Sequence, residues 1–70
     1  MEYDIYVNNH GTKCYFKKGT NILHREDGPA IQNIDGYKAW FINGKHHREG
    51  SPAVETTEYN IWYINGKSIS

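Results

Sequence analysis

Seventy residues, with eight Lys plus Arg against eight Asp plus Glu and four His, describe one small domain, 1–70, of zero formal net charge. A chain this short buries only about 60% of its unfolded surface, which excludes a deep catalytic pocket, and balanced charge excludes a global field drawing it to nucleic acid or to an anionic membrane. A single Cys leaves no internal disulfide and no cysteine zinc cluster, and with no apolar run long enough to span a bilayer and no basic leader, the expectation is a cytoplasmic protein.

Taken in chain order, Tyr3-Asp4-Ile5-Tyr6-Val7 reads as a first strand, 3–7, and Asn9-His10-Gly11 as the turn into a second, 12–16. Cys14 lies in that apolar and aromatic segment, which suits a small packed side chain at least as well as a nucleophile. The next word, His24-Arg25-Glu26-Asp27-Gly28-Pro29-Ala30, is a corner. Gly28 turns without a side chain, and Pro29 cannot donate to a ladder and holds its predecessor extended, so a strand 30–33 begins there. Asp35-Gly36 reverses the chain into 37–42. Asn43-Gly44 is a two-residue type I′ hairpin signal that returns the chain as 45–47. A second corner, His47-Arg48-Glu49-Gly50-Ser51-Pro52-Ala53, leads to strands at 54–55 and 60–64, the turn Asn65-Gly66, and a last strand at 67–69. No segment carries the 3.6-residue apolar period of an amphipathic helix.

Aromatic words begin at Tyr15, Trp40 and Trp62, which are 25 and then 22 residues apart, and the two His-Arg-Glu words are 23 apart. The chain is a repeat, with about two and a half units of roughly 22–25 residues over 11–66. The expected fold is all-β, a single-layer antiparallel meander of repeated hairpins. Alternation puts Trp40 with Ile42, and Trp62 with Ile64, on the face shared by Tyr15. Neither face is plainly polar, so the sheet curls strongly, or a second copy or another protein covers it.

Arg25 and Arg48 present planar forks. They are suited first to pinning each corner on a neighbouring unit, through Asp27, Glu26, Glu49 or an aromatic ring, and second to holding a ligand. The second corner has Gly50-Ser51 where the first has Asp27-Gly28, which a structural corner tolerates better than a reacting centre, with Glu49 as the compensating acid. His46 and His47 alternate across a strand and do not share one ion. His24 and His47 read as hydrogen-bonded residues at repeat boundaries. Neither a metal site, a cofactor nor an enzyme is expected.

These words resemble the MORN-like repeats, in the variant that joins an aromatic word ending in Asn-Gly to HR.DGPA. The matching residues are His24, Arg25, Asp27, Gly28, Pro29 and Ala30; Trp40, Phe41, Asn43 and Gly44; His47, Arg48, Pro52 and Ala53; and Trp62, Tyr63, Asn65 and Gly66. The resemblance implies an elongated sheet of successive hairpins used for scaffolding or dimerisation. Because the variant occurs in phages, large DNA viruses and bacteria, it also implies a small phage-type accessory protein that binds or inhibits a host factor in the host cytoplasm.

Three functional readings follow. The first is a non-catalytic protein-binding module whose partner is a host protein or a second copy in a homodimer, with Arg25, Arg48, Trp40, Trp62, Tyr15, Ile42 and Ile64 as its binding residues and Gly28, Pro29, Pro52, Asn43, Gly44, Asn65 and Gly66 as its structural corners. The second is a sponge for a nucleotide or other small ligand, held by Arg25 and Arg48 against aromatic rings. The third, nucleic-acid binding through Lys13, Lys17, Lys18 and Lys38, is opposed by the acids beside them.

Overall fold

A computed structural model describes residues 3–69, which form ten strands and no helix. The strands are β1 (Tyr3–Val7), β2 (Lys13–Lys17), β3 (Ile31–Gln32), β4 (Lys38–Ala39), β5 (Phe41–Ile42), β6 (Lys45–His46), β7 (Val54–Glu55), β8 (Asn60–Ile61), β9 (Tyr63–Ile64) and β10 (Lys67–Ser68). Six of them make an antiparallel sheet in the order β1-β2-β3-β4-β7-β8, while β5-β6 and β9-β10 are separate two-stranded hairpins. The molecule measures 32 by 24 by 16 Å along its principal axes.

Three equivalent hairpins are visible in the register. Tyr6, Ile31 and Val54 hold the same position, because Tyr6 pairs with Cys14, Ile31 with Cys14 and Ala39, and Val54 with Ala39 and Ile61. Strand β1 is thus the counterpart of β3 and β7. The turns also stack. A methyl of Ile34 lies 2.6 Å from where a Gly11 side chain would begin, and a Thr57 methyl lies 3.0 Å from the same point at Gly36.

The strands expected at 37–42 and 60–64 are each broken at a tryptophan. The Trp40 N–H donates to Ala53 O at 2.7 Å, while its C=O accepts from His47 N–H at 3.1 Å. One residue therefore bonds two different neighbours, and the chain passes from the main sheet into the β5-β6 hairpin at that point. Tyr15 does the same, donating to Ala30 O and accepting from His24 N–H. Asn43-Gly44 and Asn65-Gly66 are two-residue turns with positive φ at both positions, 53° and 81°, and 50° and 84°, as a type I′ turn requires. Asp35-Gly36 differs from that expectation. Gly36 alone has positive φ, its N–H returns to Asn33 O, and Asn33 N–H reaches Tyr37 O, which makes a three-residue loop ending in a glycine bulge. A hairpin that the sequence reading left out joins Phe16 to Leu23 around Gly19; Lys18-Gly19 stands there where the later units have Asn-Gly.

The core is made of small residues. Ala30, Ala39 and Ala53 have no exposed surface, Val54 and Tyr15 are buried, and among the described residues no large side chain is wholly enclosed. The rings of Phe41, His46 and Tyr63 follow one another in series, with centroids 4.2 and 4.7 Å apart. His46 Nδ1 in this stack is buried without a hydrogen-bond partner, and burial lowers the imidazole pKa.

Candidate functional site

Each corner is assembled from the same parts. In the first, the Arg25 guanidinium lies 3.9 Å from the centre of the Tyr15 ring, Nη1 donates to Pro29 O at 3.2 Å and Nε pairs with Asp27 at 3.0 Å. In the second, the Arg48 guanidinium lies 3.7 Å from Trp40, and Nη1 donates to Pro52 O at 3.1 Å and pairs with Glu55 at 3.0 Å. Pro29 and Pro52 thus serve through their carbonyls as well as through their missing N–H groups. The acid that compensates for the absent Asp27 counterpart is Glu55 on β7, not the expected Glu49. A Cβ on Gly28 would stand 2.9 Å from Arg25 Cζ, so a side chain there would push the guanidinium from its seat.

The histidines complete the joint. Asn43 N–H donates to His24 Nδ1 at 2.9 Å, and Asn65 N–H donates to His47 Nδ1 at 3.0 Å. Since Nδ1 accepts in both, the ring proton sits on Nε2, which faces Glu26 at 3.0 Å in the first corner and Glu49 at 3.7 Å in the second. Each histidine therefore ties a corner to the Asn-Gly turn of the following hairpin. His46 sits between the rings of Phe41 and Tyr63, while His47 meets Asn65 and Glu49, and among the described residues no group of three or more His, Cys, Asp or Glu is placed to hold a metal ion.

Between the corners lies an open groove of about 720 Å³, lined by both arginines, Glu26, Asp27, Glu49, Trp40 and Ile42 among others. Arg25 is paired with Asp27 and Arg48 with Glu55, so the charge facing this groove that no arginine balances is that of the exposed Glu26 and Glu49, each beside a histidine. Among the sequence-derived binding residues, Tyr15 and Trp40 are covered by arginines, Ile42 lines the groove, and Ile64 is half-buried in β9. Trp62 stands apart from them, 36% exposed. Cys14 is half-buried in β2, and burial raises its thiol pKa.

Three participants escaped the sequence reading. Glu55 was hidden because only the register of β7 brings it to Arg48, and Tyr3 because its ring meets Tyr15 edge-on at 5.7 Å and its hydroxyl accepts from Glu26 N–H across 23 residues of sequence. The third is the open edge of β1, where the consecutive residues Ile5, Tyr6 and Val7 are 54%, 58% and 57% exposed. The signal for it was present, since β1 shares its alternation with the two interior strands that follow the prolines. No helix of the described residues is long and apolar enough to cross a membrane. Comparison with protein-family models, with curated proteins and with solved structures finds no match.

Proposed function

We propose that this chain is a non-catalytic protein-binding module that engages its partner through the open edge of its sheet, and that, in keeping with the MORN-like resemblance, it is a phage-type accessory protein that binds and restrains a host factor. The observation that carries this reading is β1, an edge strand with three consecutive exposed apolar residues. Edge strands are ordinarily blunted by charge, proline or a bulge because they template pairing with another chain, and Ile5, Tyr6 and Val7 contain none of these. Addition of a partner strand there would satisfy the free backbone groups and cover the side chains together. The alternative, a nucleotide held by Arg25 and Arg48, draws less support, because both guanidiniums are spent on carbonyls, acids and rings, and the groove beside them is rimmed with carboxylates.

The test is purification of the tagged protein from its natural host background, followed by native mass spectrometry, with a Tyr6→Lys, Val7→Lys variant alongside. A stoichiometric protein partner that is lost in the folded variant supports the reading. A small-molecule adduct with excess absorbance near 260 nm, unaffected by the β1 substitutions, would replace it with the sponge.

A further inference from the structure

The far end of the sheet repeats the architecture of the two corners with one half absent. Trp62 follows Ile61 as Trp40 follows Ala39, and Ile61 and Ala39 are the two neighbours of Val54. The Trp62 C=O accepts from Ile69 N–H at 3.0 Å, matching the bond from His47 N–H to Trp40. Yet the N–H of Trp62, whose counterparts at Tyr15 and Trp40 donate to Ala30 and Ala53 carbonyls, has no partner among the described residues. No guanidinium lies over its ring, β8 pairs only with β7, and Ile69 stands where the earlier units place His24 and His47.

We propose that Trp62, together with the free edge of β8, is a docking site for an arginine-bearing corner of a partner protein that leads into a strand. The molecule itself shows what this surface accepts, because the same ring and backbone arrangement is filled twice within the chain. Each time the occupant is a bent corner that lays a guanidinium on the ring, within 3.9 Å, and offers a carbonyl to the ring residue's N–H five residues later, at Ala30 or Ala53, where it runs into a strand. A cation over an indole and one added ladder bond act together, and the indole is the strongest of the aromatic faces for this purpose. A second copy is the weaker candidate. Its β1 could extend the sheet, but the chain has two arginines, and both are held within their own corners. The proposal rests on the chain being a protein-binding module, and it concerns the end of the sheet opposite β1.

The experiment is titration of the full chain with a synthetic peptide copying residues 47–56, which carries the second corner and its strand, followed by NMR at the Trp62 amide and indole N–H up to millimolar peptide. The expected result is a saturable shift at both Trp62 signals, weakened at least tenfold when the peptide's Arg48 is replaced by Ala and lost in Trp62→Leu, with Trp62→Phe retaining part of the affinity. If folding is lost in Trp62→Leu, the Phe variant and the peptide substitution still decide the matter. Absence of a shift at Trp62, or a shift that does not depend on the peptide's arginine, overturns the site but leaves binding through β1 intact. Concentration-dependent protection of Trp62 in the free chain, abolished by Tyr6→Lys, also overturns it and assigns the edge to a second copy.

Discussion

His46 and Arg48 show how differently two ionisable side chains can be used in one hairpin. Because burial lowers the His46 pKa below its ordinary 6.5, the unfolded chain binds a proton there that the folded chain resists. Stability from this residue is therefore complete above about pH 6.5 and is lost as pH falls from there through the folded value. His46→Phe keeps a ring between Phe41 and Tyr63 and removes the unpartnered Nδ1. It is expected to stabilise the protein by about 1 kcal/mol at neutral pH and to flatten the loss below pH 6.5, as read by denaturant unfolding across pH. Asp4 acts at lower pH. The Gly19 N–H, and then Lys18, hold its carboxyl below the ordinary 3.8, so its contribution is present above that pH and lost below it. Arg48 combines a ring, a carbonyl and a carboxylate. Arg48→Lys keeps the charge but loses the planar fork, and is expected to cost about 2 kcal/mol. Asp27→Ala removes only an exposed partner of Arg25 and is expected to cost no more than about 0.5 kcal/mol. Equal losses in the two variants, measured by the same unfolding assay, would show that the stacked geometry is not what stabilises the corner.

At the scale of the element, the Asn-Gly hairpins were legible in the sequence and the tryptophan breaks were not. Positive φ at Asn43 and Gly44 follows from residue chemistry alone. Trp40 looks like the middle of a strand because nothing in its own chemistry shows that its N–H and C=O bond two different neighbours. That division depends on where Ala53 and His47 arrive, which is tertiary information. The corners divide in the same way. Their repetition, and the pinning role of their arginines, could be read from the words, whereas the acid that pairs with Arg48 needed the register of β7. Gly44→Ala tests the turn directly. Ile22 lies at an ordinary 3.5 Å from the added methyl, so the cost comes from φ of 81° alone. A loss of about 1–2 kcal/mol is expected in thermal or denaturant unfolding, with the β5-β6 amides exchanging faster than those of β9-β10.

The whole molecule is held by nearest-neighbour joints around a core of alanines, one valine and the arginine-covered Tyr15, not by an enclosed cluster of large side chains. Its stability should then be close to a sum of unit and interface terms, with protection highest where a unit has neighbours on both sides. Hydrogen exchange is expected to be slowest at Tyr15, Ala30 and Trp40, whose N–H groups bridge interior strands, and fastest at Asn8 and Ile69, which bond only within the hairpins at the two ends. Uniform exchange across all five amides would mean a single cooperative core. The repeat and its all-β character were readable from spacing because each unit carries its own turn chemistry. Which edges stay open was not, because an edge is defined by a missing neighbour, and no residue type encodes that.

The stacking of an arginine from one unit on the ring of the unit before it also makes the design indifferent to length. A duplicated stretch running from one corner to the residue before the next would arrive with its own arginine for the ring behind it and its own ring for the arginine ahead. Such a duplication adds two strands to the main sheet, roughly 10 Å of extension at the usual strand spacing, without creating a type of contact that the protein does not already contain. Growth and shortening by whole units are thus changes the fold can absorb in one genetic step, while a gain or loss of part of a unit would set an arginine over a strand with no ring beneath it.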